Sequence, residues 1–194
     1  MTLLVTGCAG FIGSNFVYYY LEKHKDRKII GLDKLTYAGN LENLTNLTQE
    51  QRERFKFIKG DICNSELVEY IFQEYDIDGV INFAAESHVD RSIYDPQIFL
   101  RTNVIGTQTL LDVSKKHWYV DGKWKEGKKF LQVSTDEVYG SLGKEGYFTE
   151  STPLDPHSPY SASKASADMI VKAYHDTYNM PINITRCSNN YGPY

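Results

Sequence analysis

Tyr160 and Lys164 carry the first chemical signal in the sequence. They stand four residues apart in Tyr160-Ser161-Ala162-Ser163-Lys164, a spacing that puts both side chains on one face of a helix. A phenol gives up its proton near pH ~10, too high for a base at neutral pH. A neighbouring ammonium, together with the positive ring of an oxidised nicotinamide, favours the phenolate and is expected to lower that value. The pair therefore suits removal of an alcohol proton as a hydride leaves the same carbon. Lys164 can also hydrogen-bond the nicotinamide ribose. A second cluster lies in Ser134-Thr135-Asp136-Glu137-Val138-Tyr139-Gly140. Two carboxyls side by side in a partly desolvated pocket resist simultaneous ionisation, so one can act as an acid while the other acts as a base. Thr135 is placed to hydrogen-bond a substrate hydroxyl near Tyr160. Hydride transfer alone needs no such acid pair.

A third signal is Gly7-Cys8-Ala9-Gly10-Phe11-Ile12-Gly13, glycines in a G-x-x-G-x-x-G array after an apolar run and before a helical pattern. Gly7 allows the tight turn, Gly10 lets backbone approach a pyrophosphate, and Gly13 lets helix and strand pack closely. The free N–H groups at the helix start then face the phosphates. Asp33 lies 20 residues past Gly13, where a carboxylate grips ribose hydroxyls and repels a 2′-phosphate, so NAD is expected rather than NADP. Lys34 complicates that choice without reversing it.

These residues need strands and helices to bring them together. Apolar, β-branched runs at 3–6, 28–32, 55–59, 79–84, 130–134 and 182–186 predict six strands. Helical patterns at 13–23, 66–74, 96–117 and 159–179 alternate with them. That order predicts an α/β fold, a doubly wound parallel sheet of Rossmann-like form. The motifs fall at the carboxyl ends of the strands, where ligands of such sheets bind. The stretch 140–158 reads as a long irregular loop, a length that is often functional. Asp121-Gly122 reads as a hairpin turn in a surface excursion.

Composition closes off other classes. Net charge is −4 over 194 residues, and no Lys/Arg stripe is present to grip nucleic acid. No apolar run is long enough to span a bilayer. Cys8, Cys63 and Cys187 are widely spaced and lack a CxxC pairing, which predicts reduced thiols in a cytoplasmic protein and no metal site.

The segments TGCAGFIGSN, LDKLTYAGNLENL, GDI, NFAAESHVDRSI, STDEVYG, SPYSASKASAD and TRCSNNYGPY, in this order, resemble those of the dTDP-glucose 4,6-dehydratases of the extended short-chain dehydrogenase/reductase family. The resemblance implies cofactor contacts from Phe11, Ile12, Asp33, Lys34, Leu35, Thr36, Asp61, Ile62, Ala84, Ala85, Thr102 and Asn190. It implies substrate contacts from Ser87, Thr135 and Asn189. Tyr160 would accept the proton of the sugar's C4 hydroxyl, Glu137 would remove the C5 proton, and Asp136 would protonate the departing C6 hydroxyl. It also implies a homodimer through the two long helices and a dTDP-glucose substrate, the nucleotide resting on resemblance alone. His88, Asp90 and Arg91 read as a satisfied structural polar cluster, and Leu110/Leu111 with Met169/Ile170/Ala173 as core or dimer surface. Members of that family run well over a hundred residues past the equivalent of Tyr194, so the chain reads as a cofactor-binding portion without the C-terminal substrate domain. A related epimerase or decarboxylase, and a module that only binds NAD, remain open.

Overall fold

A computed structural model describes residues 1–194. Six strands form one sheet: β1 (Thr2–Thr6), β2 (Lys28–Asp33), β3 (Phe55–Lys59), β4 (Gly79–Asn82), β7 (Lys129–Thr135) and β8 (Ile182–Cys187). Their order is β3-β2-β1-β4-β7-β8, and every pairing is parallel. The central strands are apolar on both sides because helices cover both faces. Helix α1 (Phe11–Lys23) packs Val17, Tyr20 and Leu21 against Leu3, Val5 and Ile29 on one face. On the other, α3 (Ser65–Tyr75), α6 (Gly106–Trp118) and α7 (Pro159–Tyr178) surround Leu4, Ile30, Leu32, Val80 and Phe130. Strand β8, at the edge, alternates half-buried and exposed residues instead.

Chain reversal between β1 and β4 opens the sheet at its carboxyl end. A buried polar set fixes the strands there. Thr6 Oγ1 donates to Asn82 Oδ1 at 2.6 Å, and the Asn82 amide donates to Gln132 Oε1 at 2.8 Å and Thr107 Oγ1 at 3.2 Å. These bonds tie β1, β4, β7 and α6 at one level, so each of these four polar side chains has a partner.

The strands match the sequence reading within one residue, except that β4 ends at Asn82 rather than at Ala84. The cause is local: Ala84 N donates to the Thr6 side chain at 3.2 Å, which takes the backbone out of the ladder. The predicted helix at 96–117 is three pieces. A short α5 (Pro96–Phe99) runs into a π-helical turn, Leu100–Ile105, before α6. Between β4 and α5 lies α4 (Val89–Tyr94), which the sequence did not suggest. The surface hairpin exists: β5 (Tyr119–Val120) pairs with β6 (Lys123–Trp124). Asp121 and Gly122 both have positive φ (51° and 76°), as a type I′ turn requires. Residues 140–158 hold no helix or strand, although Phe148 and Leu154 pack on Val138, Tyr139 and Ala165. No helix is long and apolar enough to cross a membrane.

Candidate functional site

A cleft of about 300 Å³ runs along the carboxyl edge of the sheet. At one end, the β1–α1 turn lies against the floor. Gly7 has φ +65°, and a Cβ there would sit 2.7 Å from the Ala84 amide nitrogen. A Cβ on Gly13 would meet Gly7 O at 2.1 Å. Both positions therefore exclude side chains. Gly10 is different: a Cβ would find no atom closer than 3.4 Å, so its bareness serves the space above the turn. Helix α1 begins at Gly10 with no side-chain cap. The first amides of a 13-residue helix are left without intrahelical acceptors and lie in the cleft wall. Donors of this kind, with the helix dipole behind them, fit a pyrophosphate.

Asp33 ends β2 with its carboxylate turned back to the turn. Oδ2 accepts from Ala9 N at 2.9 Å and Oδ1 from Leu35 N at 2.8 Å. It organises the glycine turn as well as lining the cleft. Lys34 is held by Asp61, Nζ to Oδ2 at 2.8 Å, which occupies the cation that complicated the choice between NAD and NADP. Partial burial pushes the Asp61 carboxyl up, but the Lys34 and Cys63 hydrogen bonds carry it below the ordinary range.

At the far end, α7 presents Tyr160 and Lys164. Its start is set by Pro159 at the first turn and by a capping box in which Ser158 and Ser161 satisfy each other's amides. Tyr160 is buried, with the edge of its ring against Phe99 (centroids 6.3 Å apart). Its phenol is not lowered as the sequence suggested. Burial first, then the charge of Glu137, push it up to about 12, while a Thr135 hydrogen bond pulls the other way. The buried Lys164 ammonium donates to the Val133 carbonyl at 2.7 Å, and its own value is pushed down to about 8 by burial. Glu137 is raised by partial burial and by Asp136 beside it, the direction expected of the carboxyl pair. Thr135 Oγ1 accepts from Glu137 N at 3.2 Å and donates to Asp136 Oδ1 at 3.4 Å, fixing the short 3₁₀ turn Asp136–Tyr139 beneath Tyr160.

Gly7, Gly10, Phe11, Ile12, Gly13, Asp33, Lys34, Thr36, Asp61, Ile62, Ala84, Ala85, Ser87, Thr102, Tyr160 and Lys164 all line the cleft. Two expected cofactor residues do not. Leu35 takes a positive φ of 56° and packs with the apolar cluster under α1. Asn190 is exposed and bonds Cys187 Sγ and Ser188 O. Asn189, expected to meet substrate, is exposed outside the lining, and Thr135, Asp136 and Glu137 also lie outside it, just beyond the lining residues Val133 and Ser134. His88, Asp90 and Arg91 are not a satisfied polar cluster: Arg91 stacks its guanidinium on Tyr37, 3.8 Å from the ring centre. Leu110 and Leu111 are core, whereas Met169 is exposed. Sequence reasoning missed Asn103. Buried in the π turn, its carboxamide accepts from Glu86 N (2.8 Å) and donates to Glu86 O (2.9 Å) and Ser163 Oγ (2.8 Å). It joins the β4 loop to α7. A polar residue at a core-facing helical position was its one visible trace.

A doubly wound parallel sheet with a glycine turn at one end of a cleft and a buried Tyr/Lys pair at the other defines a short-chain dehydrogenase-type domain. The GDP-mannose 4,6 dehydratase family model matches residues 4–194, and the chain belongs to that family. It is 52% identical over 194 residues to the dTDP-glucose 4,6-dehydratase of Xanthomonas campestris pv. campestris, covering 100% of this chain and 54% of that protein. The crystal structure of dTDP-glucose 4,6-dehydratase from Bacillus anthracis in complex with NAD is 54% identical, with a TM-score of 0.87, over 100% of this chain and 56% of that one. The UDP-glucose 4-epimerase of Thermus thermophilus, also in complex with NAD, shares 30% identity and a TM-score of 0.84, covering 100% and 57%. The chain spans about half the length of these relatives.

Proposed function

We propose that the chain is the cofactor-binding and catalytic portion of an NAD-dependent dTDP-glucose 4,6-dehydratase, with the sugar nucleotide held in part by a domain beyond residues 1–194. The observation that carries this reading is the placement of Thr135, Asp136 and Glu137 at the carboxyl end of β7, the strand whose Val133 carbonyl accepts from Lys164 and whose Ser134 lines the cleft with Tyr160. A hydride-transfer site needs the phenol and Lys164; loss of water also needs an acid and a base. The bare turn at Gly10 and the uncapped start of α1 fit the pyrophosphate, and Asp33 fits the ribose.

In this reading Tyr160 takes the proton of the C4 hydroxyl while Thr135 orients that hydroxyl. The cofactor's contribution is hydride storage, with the C4 hydrogen and its electron pair taken up and later returned at C6. The 4-ketone acidifies the C5 hydrogen, which Glu137 removes as a proton. Asp136 protonates the C6 hydroxyl, which leaves as water. Lys164 holds positive charge near the phenol, which favours the phenolate as the proton moves. A phenol resting near 12 makes that help necessary.

Incubating the full-length protein with dTDP-glucose and NAD⁺ tests the proposal. A 4-keto-6-deoxy sugar nucleotide is expected. A C4 epimer would instead support the second reading, suggested by the epimerase neighbour, in which Tyr160 and Lys164 act and the acid pair is idle. Glu137→Gln is expected to abolish exchange of the C5 hydrogen with solvent while leaving C4 oxidation intact; loss of oxidation instead would remove Glu137 as the base.

The protein is further proposed to be a cytoplasmic homodimer that pairs through its two long helices. Leu100 and Ile105 before α6, and Met169 on α7, are large apolar side chains more than half exposed, an uncommon clustering for a free surface. Ile105→Asp with Met169→Asp is expected to halve the mass measured by sedimentation equilibrium.

A further inference from the structure

Tyr160 and Lys164 begin a stripe that continues one turn further along α7, at Asp168. Asp168 is 1% exposed, and a carboxylate that deep needs a cation and hydrogen-bond donors. Arg186 of β8 supplies one donor, Nε to Oδ2 at 2.8 Å. The guanidinium is itself fixed, donating through a terminal nitrogen to Tyr139 Oη at 2.8 Å, with its carbon 5.0 Å from the centre of that ring. Ser134 Oγ and Asp168 Oδ1 are both buried, and neither has a hydrogen-bond partner.

The Lys164 amine, one turn earlier on α7, is also buried and has one carbonyl partner. An ammonium there is unstable unless an anion stands nearby. The groups around it come from each packed element. On α7 they are Tyr160 and Asp168; on β8, Cys187 and the cation Arg186; after β7, Asp136, Glu137 and Tyr139; and in the β4 loop, Glu86. Glu137 and Asp136 act on Tyr160. Asp168 stands one helical turn from Lys164 on the same face of α7, not in direct contact with it, and its buried Oδ1 is left without a hydrogen-bond partner.

We propose that Asp168 is a positioning residue that acts through Lys164, holding its buried amine as the ammonium the Tyr160 chemistry requires, while Arg186 clamps the carboxylate in place. The proposal rests on the reading of Tyr160 and Lys164 as the proton-handling pair. Its test is independent of turnover and of bound cofactor.

In protein labelled with ¹³C at the lysine ε-carbon, the Lys164 resonance is assigned by its loss in Lys164→Met and followed against pH. The wild-type midpoint is expected near about 8. Asp168→Asn, which keeps an oxygen for Arg186, is expected to lower it by about one pH unit or more. An unchanged or higher midpoint overturns the proposal. The coupling must also run in reverse, which covers the case in which Asp168→Asn does not fold. With ¹³C at the aspartate carboxyl, Asp168 is expected to titrate at higher pH in Lys164→Met than in wild type, and coincident curves overturn the proposal. If the titrations behave as expected but the full-length protein turns over no sugar nucleotide, the assigned reaction fails and the Asp168–Lys164 coupling stands.

Discussion

Gly10 and Gly13 separate two demands that the glycine array places on one short segment. Gly13→Ala drives a methyl into the Gly7 carbonyl at 2.1 Å and is expected to cost several kcal/mol in urea unfolding. Gly10→Ala meets only ordinary contacts and should leave the unfolding midpoint nearly unchanged. Its methyl projects where the pyrophosphate is proposed to lie, so calorimetry is expected to show NAD affinity reduced tenfold or more. Lys164 gives a second test, in pH. Folding lowers its value from 10.5 to about 8, so the native state carries the full penalty of a buried ammonium below pH 8. That penalty fades as pH rises from about 8 to 10.5, because the unfolded chain then holds the proton more firmly than the native one. The stability of wild type relative to Lys164→Met is therefore expected to grow between pH 7 and pH 9.5 in paired urea titrations. Most site residues were legible because their type and spacing dictate their chemistry: glycines before a helix, a Tyr and a Lys one turn apart, an acid pair at a strand end. The resting state of Tyr160 was not legible, because it depends on burial and on where Lys164 points. Both are set by β7, far away in sequence.

Helix α7 and the π turn set the distances within the site, and their hydrogen bonds are where those distances can be lost. Ser158→Ala removes half of the capping box two residues before Tyr160 and is expected to cost about 1 kcal/mol by urea denaturation. Asn103→Leu strands the Glu86 N–H and carbonyl and the Ser163 hydroxyl in the interior. Its expected cost is larger, roughly 2–4 kcal/mol, with faster amide hydrogen exchange in the β4 loop as the local sign. Periodicity located every strand of the sheet and the long helices, since two-sided burial leaves continuous apolar runs such as Leu3-Leu4-Val5. It could not show the π turn. The apolar spacing from Pro96 to Trp118 fits an unbroken helix, and the extra residue per turn answers to Asn103 reaching both Glu86 and Ser163, a tertiary demand. The end of β4 at Asn82 has the same kind of cause, the Thr6 side chain competing for Ala84 N.

At the scale of the molecule, the strand order β3-β2-β1-β4-β7-β8 places the glycine turn at the sheet's centre and Arg186 at its edge, so the cleft spans the line along which the chain changes direction. Alternation of strands and helices was enough to anticipate that architecture. The layout also constrains how the domain is assembled in time. β1 is first of the six strands in chain order, yet its inner neighbour β4 lies 76 residues further on, with Thr6 bonded to Asn82 across that gap. Parallel pairs close only through long crossovers, so few contacts of this sheet are local. During synthesis Leu3, Leu4 and Val5 must remain apolar, extended and unpaired on one side until β4 has emerged, the condition under which chains aggregate or engage chaperones. Refolding from urea is accordingly expected on a scale of roughly milliseconds to seconds or slower, not microseconds. The segment that builds the turn is made early and sheltered late.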